Sequence, residues 1–404
     1  MLTCGTKIKT KDKILKTPKF KFKRRCFFMR NVLVFFGGMS CEHDISVITG
    51  VMTLNSVDKS LYNPVPVYVT GDGKWYTGDV LKDVTFYKKI NCKKLKRVTF
   101  LFGDDCLYIL KGKKICGKIP VYAAINCMHG LNGEDGCLAG VIKMNFIPFC
   151  SPDLFISGAA IDKETMKTVL KGLNVKTLNC ISVTRGEFYA DCDKYIKLIE
   201  KTFASPVMVK PARLGSSIGI FKASDRAHLA EGIKSAFLYD GKIIVEPALT
   251  NFKEVNAAAM KINGEIKVSE TEEPVTRNDV LTFSDKYAGF KTGAKRISPA
   301  RISERERDKI IKITRKIYEK TDCRGIIRID FFVSNGEVTV NEVNTVPGSL
   351  AYYLFAGSIK KFGEILSGII EQGVKDFKEY KLNDFAFKSD VLKINGVKGG
   401  KSGG

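Results

Sequence analysis

Arg328, Asp330, Glu342 and Asn344 lie on either side of an Asn335-Gly336 pair, inside two runs rich in β-branched and aromatic residues. Asn-Gly between such runs is the strongest short-range hairpin signal, because both residues accept the positive φ of a tight turn. Alternate side chains of a strand share a face. Glu342 and Asn344 therefore point the same way, and Asp330 on the partner strand can join them. The result is a cluster of hard oxygen donors beside one arginine. Such donors suit Mg²⁺, which completes its shell with waters and substrate phosphates. The competing reading is a solvated hairpin face with ordinary surface carboxylates.

A second segment points to phosphate. Residues 206–219 read as a strand that reaches Lys210 and gives way to a loop carrying Gly215, Ser216, Ser217 and Gly219. Glycines let backbone N–H groups approach phosphate oxygens, and Lys210 and Lys163 are natural cations for the same ligand. Neither a Walker A loop nor a dinucleotide fingerprint is present. A third segment is the apolar strand 31–36, which runs into Gly37-Gly38, Glu42 and a helix extending to about Ser56. That layout aims backbone N–H groups and a helix N-terminus at a ligand. Glu42 reads either as a ligand contact or as the cap of that helix.

Six segments occur in an order that resembles the ATP-grasp superfamily of carboxylate–amine ligases, and within it the D-alanine–D-alanine ligases. They are residues 36–46 (Phe-Gly-Gly-Met-Ser-Cys-Glu-His-Asp-Ile-Ser), 129–136 (His-Gly-Leu-Asn-Gly-Glu-Asp-Gly), Asp162-Lys163, 209–219 (Val-Lys-Pro-Ala-Arg-Leu-Gly-Ser-Ser-Ile-Gly), 328–331 (Arg-Ile-Asp-Phe) and 341–348 (Asn-Glu-Val-Asn-Thr-Val-Pro-Gly). The likeness spans about residues 30 to 380. It implies an α/β (α+β) chain with an ATP-grasp fold and an N-terminal Rossmann-like parallel α/β domain, and ATP held between two antiparallel sheets.

The resemblance also implies roles. Lys163, Lys210 and Ser217 would meet the ATP phosphates, with Lys286 near the transferred group. Glu246 and Leu249 would frame adenine, and Glu254 the ribose hydroxyls. Asp330, Glu342 and Asn344 would hold two Mg²⁺ ions, with Mn²⁺ as an alternative and K⁺ as a candidate monovalent ion. Arg328 would stabilise the tetrahedral intermediate. Glu42 would take the first substrate's ammonium, joined to Ser216 and Tyr287 by hydrogen bonds, with His129 beside that amino acid. Gly348 and Tyr353 would line the acceptor side. The implied reaction joins two D-alanines through an acyl phosphate for peptidoglycan precursors, in the cytoplasm, in a homodimer.

Two departures from the family pattern concern the acceptor. Tyr353 stands where a serine usually holds the second substrate's carboxylate. The expected lid, 283–299, is basic, with Lys291 and Arg296 as stand-in carboxylate ligands. D-lactate, D-serine or another amino acid is therefore the alternative acceptor.

The elements that position these residues are expected as follows. A basic extension covers 1–29, an N-terminal substrate-binding domain 30–150, a central ATP-grasp subdomain 151–243, a C-terminal metal-binding subdomain 244–385 and a tail 386–404. Residues 151–157 read as a short strand or loop, 162–170 as a helix, and 270–299 as a polar loop. Residues 304–321 and 357–380 read as helices. At 404 residues the chain can bury a sizeable core. No apolar run of about 18 residues is present, so no membrane span is expected.

The net charge of +23 raises the possibility of nucleic acid. However, residues 1–28 carry ten basic groups against one acid, and the remaining excess is diffuse. Neither interleaved aromatics nor a nucleic-acid-binding motif accompanies it. Met29 is the expected natural start, with the arm disordered or absent. The 12 cysteines show no C-x-x-C spacing, so zinc and thioredoxin-like chemistry lack support. Cys41, Cys127, Cys137 and Cys150 read as buried thiols in a reducing compartment.

Overall fold

The computed structural model describes residues 29–275 and 296–384. Lys286, Tyr287, Lys291, most of the expected lid, the basic arm and the tail lie outside the described residues. Three main sheets build the fold, with strands of seven, four and four.

The first sheet is ordered Lys114–Pro120, Cys106–Lys111, Lys96–Phe100, Trp75–Thr77, Tyr62–Val69, Arg30–Gly37, Ala123–Asn126. Only the last three strands are parallel, with Arg30–Gly37 in the centre. The others pair antiparallel, three of the links being short and the one from Thr77 to Lys96 running through three short 3-10 helices. The Rossmann-like part expected from sequence is thus a three-stranded parallel core with an antiparallel wing. Residues Val32 to Phe36 are fully buried, as a parallel strand covered on both faces requires.

The turn after this strand admits only glycine. Gly37 has φ of +89°, and a Cβ there would stand 2.2 Å from the Val69 carbonyl oxygen. In the following helix, His43–Ser56, a Cβ on Gly50 would meet Phe36 at 2.3 Å, so the helix lies close against the strand.

The second sheet runs Phe221–Ala223, Val207–Pro211, Lys242–Pro247, Ile181–Thr184, and the third Glu265–Val268, Lys253–Ile262, Ile326–Ser334, Glu337–Asn344. All their pairings are antiparallel. The hairpin turns at Asn335 and Gly336, whose φ values of 50° and 78° fit the primed turn its sequence calls for. Its ladder is not regular. Asp330 pairs with Glu342 and Phe331 with Val340, which leaves Asn341 as an unpaired bulge residue.

Two expectations change. Residues 151–157 are not a strand. Asp153 accepts a hydrogen bond from the Leu154 N–H and caps a helix, Leu154–Ile161, whose apolar residues pack under the third sheet. A second helix, Lys163–Gly172, starts at once behind Asp162, which caps Thr165. The 270–299 segment carries a small pairing of Glu273–Pro274 with Arg296–Ile297. The long helices Glu304–Lys320 and Ile359–Tyr380 match the sequence pattern to within two residues.

Cys127 and Cys150 are buried, but Cys41 and Cys137 are exposed. Both of the latter sit at helix starts, in a turn and at a first helical position, where the side chain faces outward. Among the described residues all cysteines are free. No described helix is long and apolar enough to cross a membrane.

Candidate active site

Two cavities of about 160 and 100 Å³ meet along a shared wall of Gly215, Glu254, Asp330 and Glu342. The smaller lies between the second and third sheets. Leu178, Met208, Leu249, Phe252 and Phe332 give it apolar sides, and Lys163, Lys210, Lys222, Ser217, Glu246 and Glu254 give it charge and hydrogen bonding. An apolar slot ending in cations suits a base followed by phosphates. The larger cavity is polar. Glu42, His129, Ser216, Arg328, Asp330, Glu342, Asn344, Gly348 and Tyr353 all line it. Every described site residue expected from sequence therefore borders one cavity or both.

Glu42 reaches across to the phosphate loop and not to its own helix. It occupies the N-cap position of helix His43–Ser56, yet its side chain makes no capping hydrogen bond. Its carboxylate is 4% exposed and accepts a hydrogen bond from the Ser216 hydroxyl. Ser216 and Ser217 adopt φ of 54° and 58°, so the phosphate loop is locally left-handed and carries Ser216 back to the first helix. A Cβ on Gly215 would stand 3.1 Å from Glu42 Oε1, so the loop backbone passes close to that carboxylate.

His129 is buried at 4% exposure, and burial pushes its pKa down from 6.5 to about 4, with the nearby Arg328 charge adding to the shift. The ring is therefore neutral near pH 7. Its Nε2 lies 3.1 Å from the Thr49 hydroxyl, which also accepts the Ser349 N–H at 3.1 Å.

Arg328 is held by Asp330 in a bidentate pair at 2.6 and 2.8 Å. Burial alone would weaken its charge, but Asp330 outweighs this and its pKa rises further. Asn344 donates from Nδ2 to Asp330 Oδ2 at 3.1 Å. The bulge at Asn341 puts Glu342 and Asn344 on the face of Asp330 and Arg328. Two carboxylates and an amide oxygen, facing the cationic side of the nucleotide-shaped cavity, fit Mg²⁺. Lys163 stands across the shared wall, with Nζ 3.8 Å from Glu342 Oε2 and 2.7 Å from the Leu214 carbonyl.

Sequence reasoning missed four groups. Lys167, one helical turn after Lys163, pairs with Glu246 at 2.6 Å, and Lys210 holds the other Glu246 oxygen at 2.6 Å. Burial opposes charge on both partners. The ion pairs win, raising the pKa of Lys210 and lowering that of Glu246. The i, i+4 spacing from Lys163 was the available signal.

Glu134 sits inside the quoted 129–136 motif. It accepts from the Gly130 N–H at 2.9 Å and the Val346 N–H at 3.0 Å, tying the histidine loop to the hairpin end. Burial, helped by the Glu42 charge, raises its pKa to about 8. Glu272 and Asn256 also line the larger cavity and had no local signal.

Known proteins share the sequence and the fold of this chain. Family models described as the N-terminus and C-terminus of D-ala D-ala ligase match residues 31–152 and 169–375. The D-alanine–D-alanine ligase of Thermosipho melanesiensis is 36% identical over 373 residues, covering 91% of this chain and 99% of that protein. The Clostridium acetobutylicum ligase is 33% identical, covering 85% and 97%. Among solved structures, the D-alanine–D-alanine ligase of Helicobacter pylori superimposes with a TM-score of 0.70 at 26% identity, covering 85% of this chain and 98% of that one. The VanG D-Ala:D-Ser ligase of Enterococcus faecalis gives 0.70 at 25% identity, covering 87% and 100%. With both halves of its fold matched and its conserved-length relatives aligned end to end, the chain belongs to the D-alanine–D-alanine ligase family.

Proposed function

We propose that the protein joins two D-alanines to D-alanyl-D-alanine at the expense of ATP, supplying a peptidoglycan precursor in the cytoplasm. The observation that carries this reading is the pair of cavities with one shared wall: a nucleotide-shaped slot opens onto an amino-acid-sized polar chamber at Asp330 and Glu342.

A carboxylate is a poor acyl donor, so the donor's carboxylate oxygen attacks the γ-phosphorus and ADP departs. Lys163, Lys210 and the loop at Ser216 and Ser217 steady the phosphates, Leu249 lies against the base and Glu254 holds the ribose hydroxyls. Asp330, Glu342 and Asn344 would hold two Mg²⁺ ions, which neutralise phosphate charge during transfer. Glu42, oriented by Ser216, takes the donor's ammonium, and neutral His129 packs beside it. The acceptor amine then attacks the acyl carbon and phosphate leaves. Arg328, pre-set by Asp330, meets the oxyanion. Lys286 and Tyr287 are assigned to the same centre by resemblance.

The reading includes a homodimer, Mn²⁺ as a substitute ion and K⁺ as a monovalent activator. It divides the chain at about residues 150 and 243. The test is phosphate release with ATP, Mg²⁺ and D-alanine, followed by mass analysis. Dipeptide formation supports the reading, and ATP turnover without dipeptide rejects it. A different acceptor is the second reading, favoured by Tyr353 in the acceptor half of the larger cavity. Offering D-serine or D-lactate beside D-alanine separates the two.

A further inference from the structure

The larger cavity contains two arginines in different electrostatic situations. Arg328 has its fork filled by Asp330. The carbon of the Arg296 guanidinium lies 3.7 Å from the centre of the Tyr353 ring. Its Nη1 stands 3.8 Å from Glu272 Oε2, beyond hydrogen-bond range. Among the described residues that is its only ion pair.

Both supports of Arg296 are fixed. Glu272 is 3% exposed and exchanges two backbone hydrogen bonds with Asn256, at 2.7 and 2.9 Å. Tyr353 follows three successive left-handed residues, Ser349, Leu350 and Ala351, and this turn is pinned by the Ser349 N–H on Thr49. A guanidinium held over a ring face keeps N–H donors for a planar anion.

A ligase that uses a free amino acid as acceptor must match that acceptor's carboxylate beside Arg328. We infer that Arg296, stacked on Tyr353, receives the acceptor's α-carboxylate. This rests on the reading above that the protein joins two amino acids. It assigns the acceptor to small amino acids with a free carboxylate. Glu272, 3.8 Å from the same guanidinium, turns away acceptors with a second acidic group.

The experiment is a partition assay. The protein receives ATP, Mg²⁺ and a mixture of D-alanine and D-alaninamide, and mass analysis gives the ratio of dipeptide to dipeptide amide. Because both products share one donor, the ratio reports acceptor discrimination alone. In Arg296→Gln it should move toward the amide by roughly ten- to a hundred-fold, the range of a hydrogen bond to a charged group. An Arg296→Gln protein that makes dipeptide at the wild-type ratio overturns the inference. If that variant does not fold, Arg296→Lys keeps the charge without the flat fork and should shift the ratio in the same direction by a smaller factor. An unchanged ratio there overturns the inference equally. A wild-type protein that makes no dipeptide overturns the reading beneath it, so the two failures are distinguishable.

Discussion

Glu246→Gln tests how the phosphate-facing cation is held. Glu246 is 1% exposed and its two oxygens each sit 2.6 Å from an ammonium, Lys167 on one side and Lys210 on the other. The amide is the same size but removes the charge. Lys167 keeps the Thr177 hydroxyl and Leu178 carbonyl, each at 3.1 Å. Lys210 loses its closest counter-charge. Leaving a buried ion uncompensated costs about 3–5 kcal/mol.

The control is Glu337→Gln, at the surface pair Lys176–Glu337, whose side chains are 53% and 66% exposed, so that solvent screening leaves little stability to lose. Urea unfolding followed by circular dichroism at neutral pH measures both. The sign with pH also follows. Burial pushes the Lys210 pKa down and Glu246 more than restores it, so its stabilisation is present at neutral pH and fades as alkali titrates the ammonium. Without Glu246 the Lys210 pKa falls, and activity should decline at lower alkaline pH than in wild type. Equal destabilisation by the two substitutions, or coincident alkaline limbs, would refute the reasoning.

Three further outcomes are expected. Ser216→Ala removes the hydroxyl that donates to Glu42 and should raise the KM for the donor amino acid about ten-fold, with the KM for ATP little changed. Glu342→Gln removes a metal-side charge and should cut kcat by at least about a hundred-fold, with partial recovery at high Mg²⁺; full activity at ordinary Mg²⁺ would exclude Glu342 as a ligand. His129 has its pKa lowered from 6.5 to about 4 in the fold. The unfolded chain therefore binds more protons across that window, so this residue's contribution is lost as pH falls from 6.5 to 4, by up to about 3 kcal/mol. Glu134, raised from 4.5 to about 8, acts in the opposite sense. The difference between wild type and His129→Asn isolates the histidine, and a pH-independent difference would contradict its buried neutral state.

Local signals made the hairpin, the glycine turn at Gly37 and the two lysines readable from sequence, because each is written in a run of under a dozen residues. What sequence did not yield is non-local. Lys167 and Glu246 are far apart in the chain and meet only once the helix Lys163–Gly172 packs beside the second sheet. Glu272 owes its place to a bridge with Asn256. The helix Leu154–Ile161 was hidden because a short apolar run gives no period to separate helix from strand. The left-handed turn at Ser349 to Ala351 has no glycine to announce it. Its conformation comes from tertiary bonds such as that to Thr49.

The unpaired Asn341 sets a parity. From Glu337 to Val340 the odd-numbered side chains share the face of Phe332 and Ser334; beyond Asn341 the even-numbered ones do. Inserting one more residue beside it, with no second bulge to absorb it, would set Glu342 opposite Ile329 and present Val343 to the cavity, whereas deleting Asn341 would close the bulge and leave Glu342 opposite Asp330. The stretch between the turn and Glu342 therefore tolerates the loss of its bulge residue but not the gain of one more.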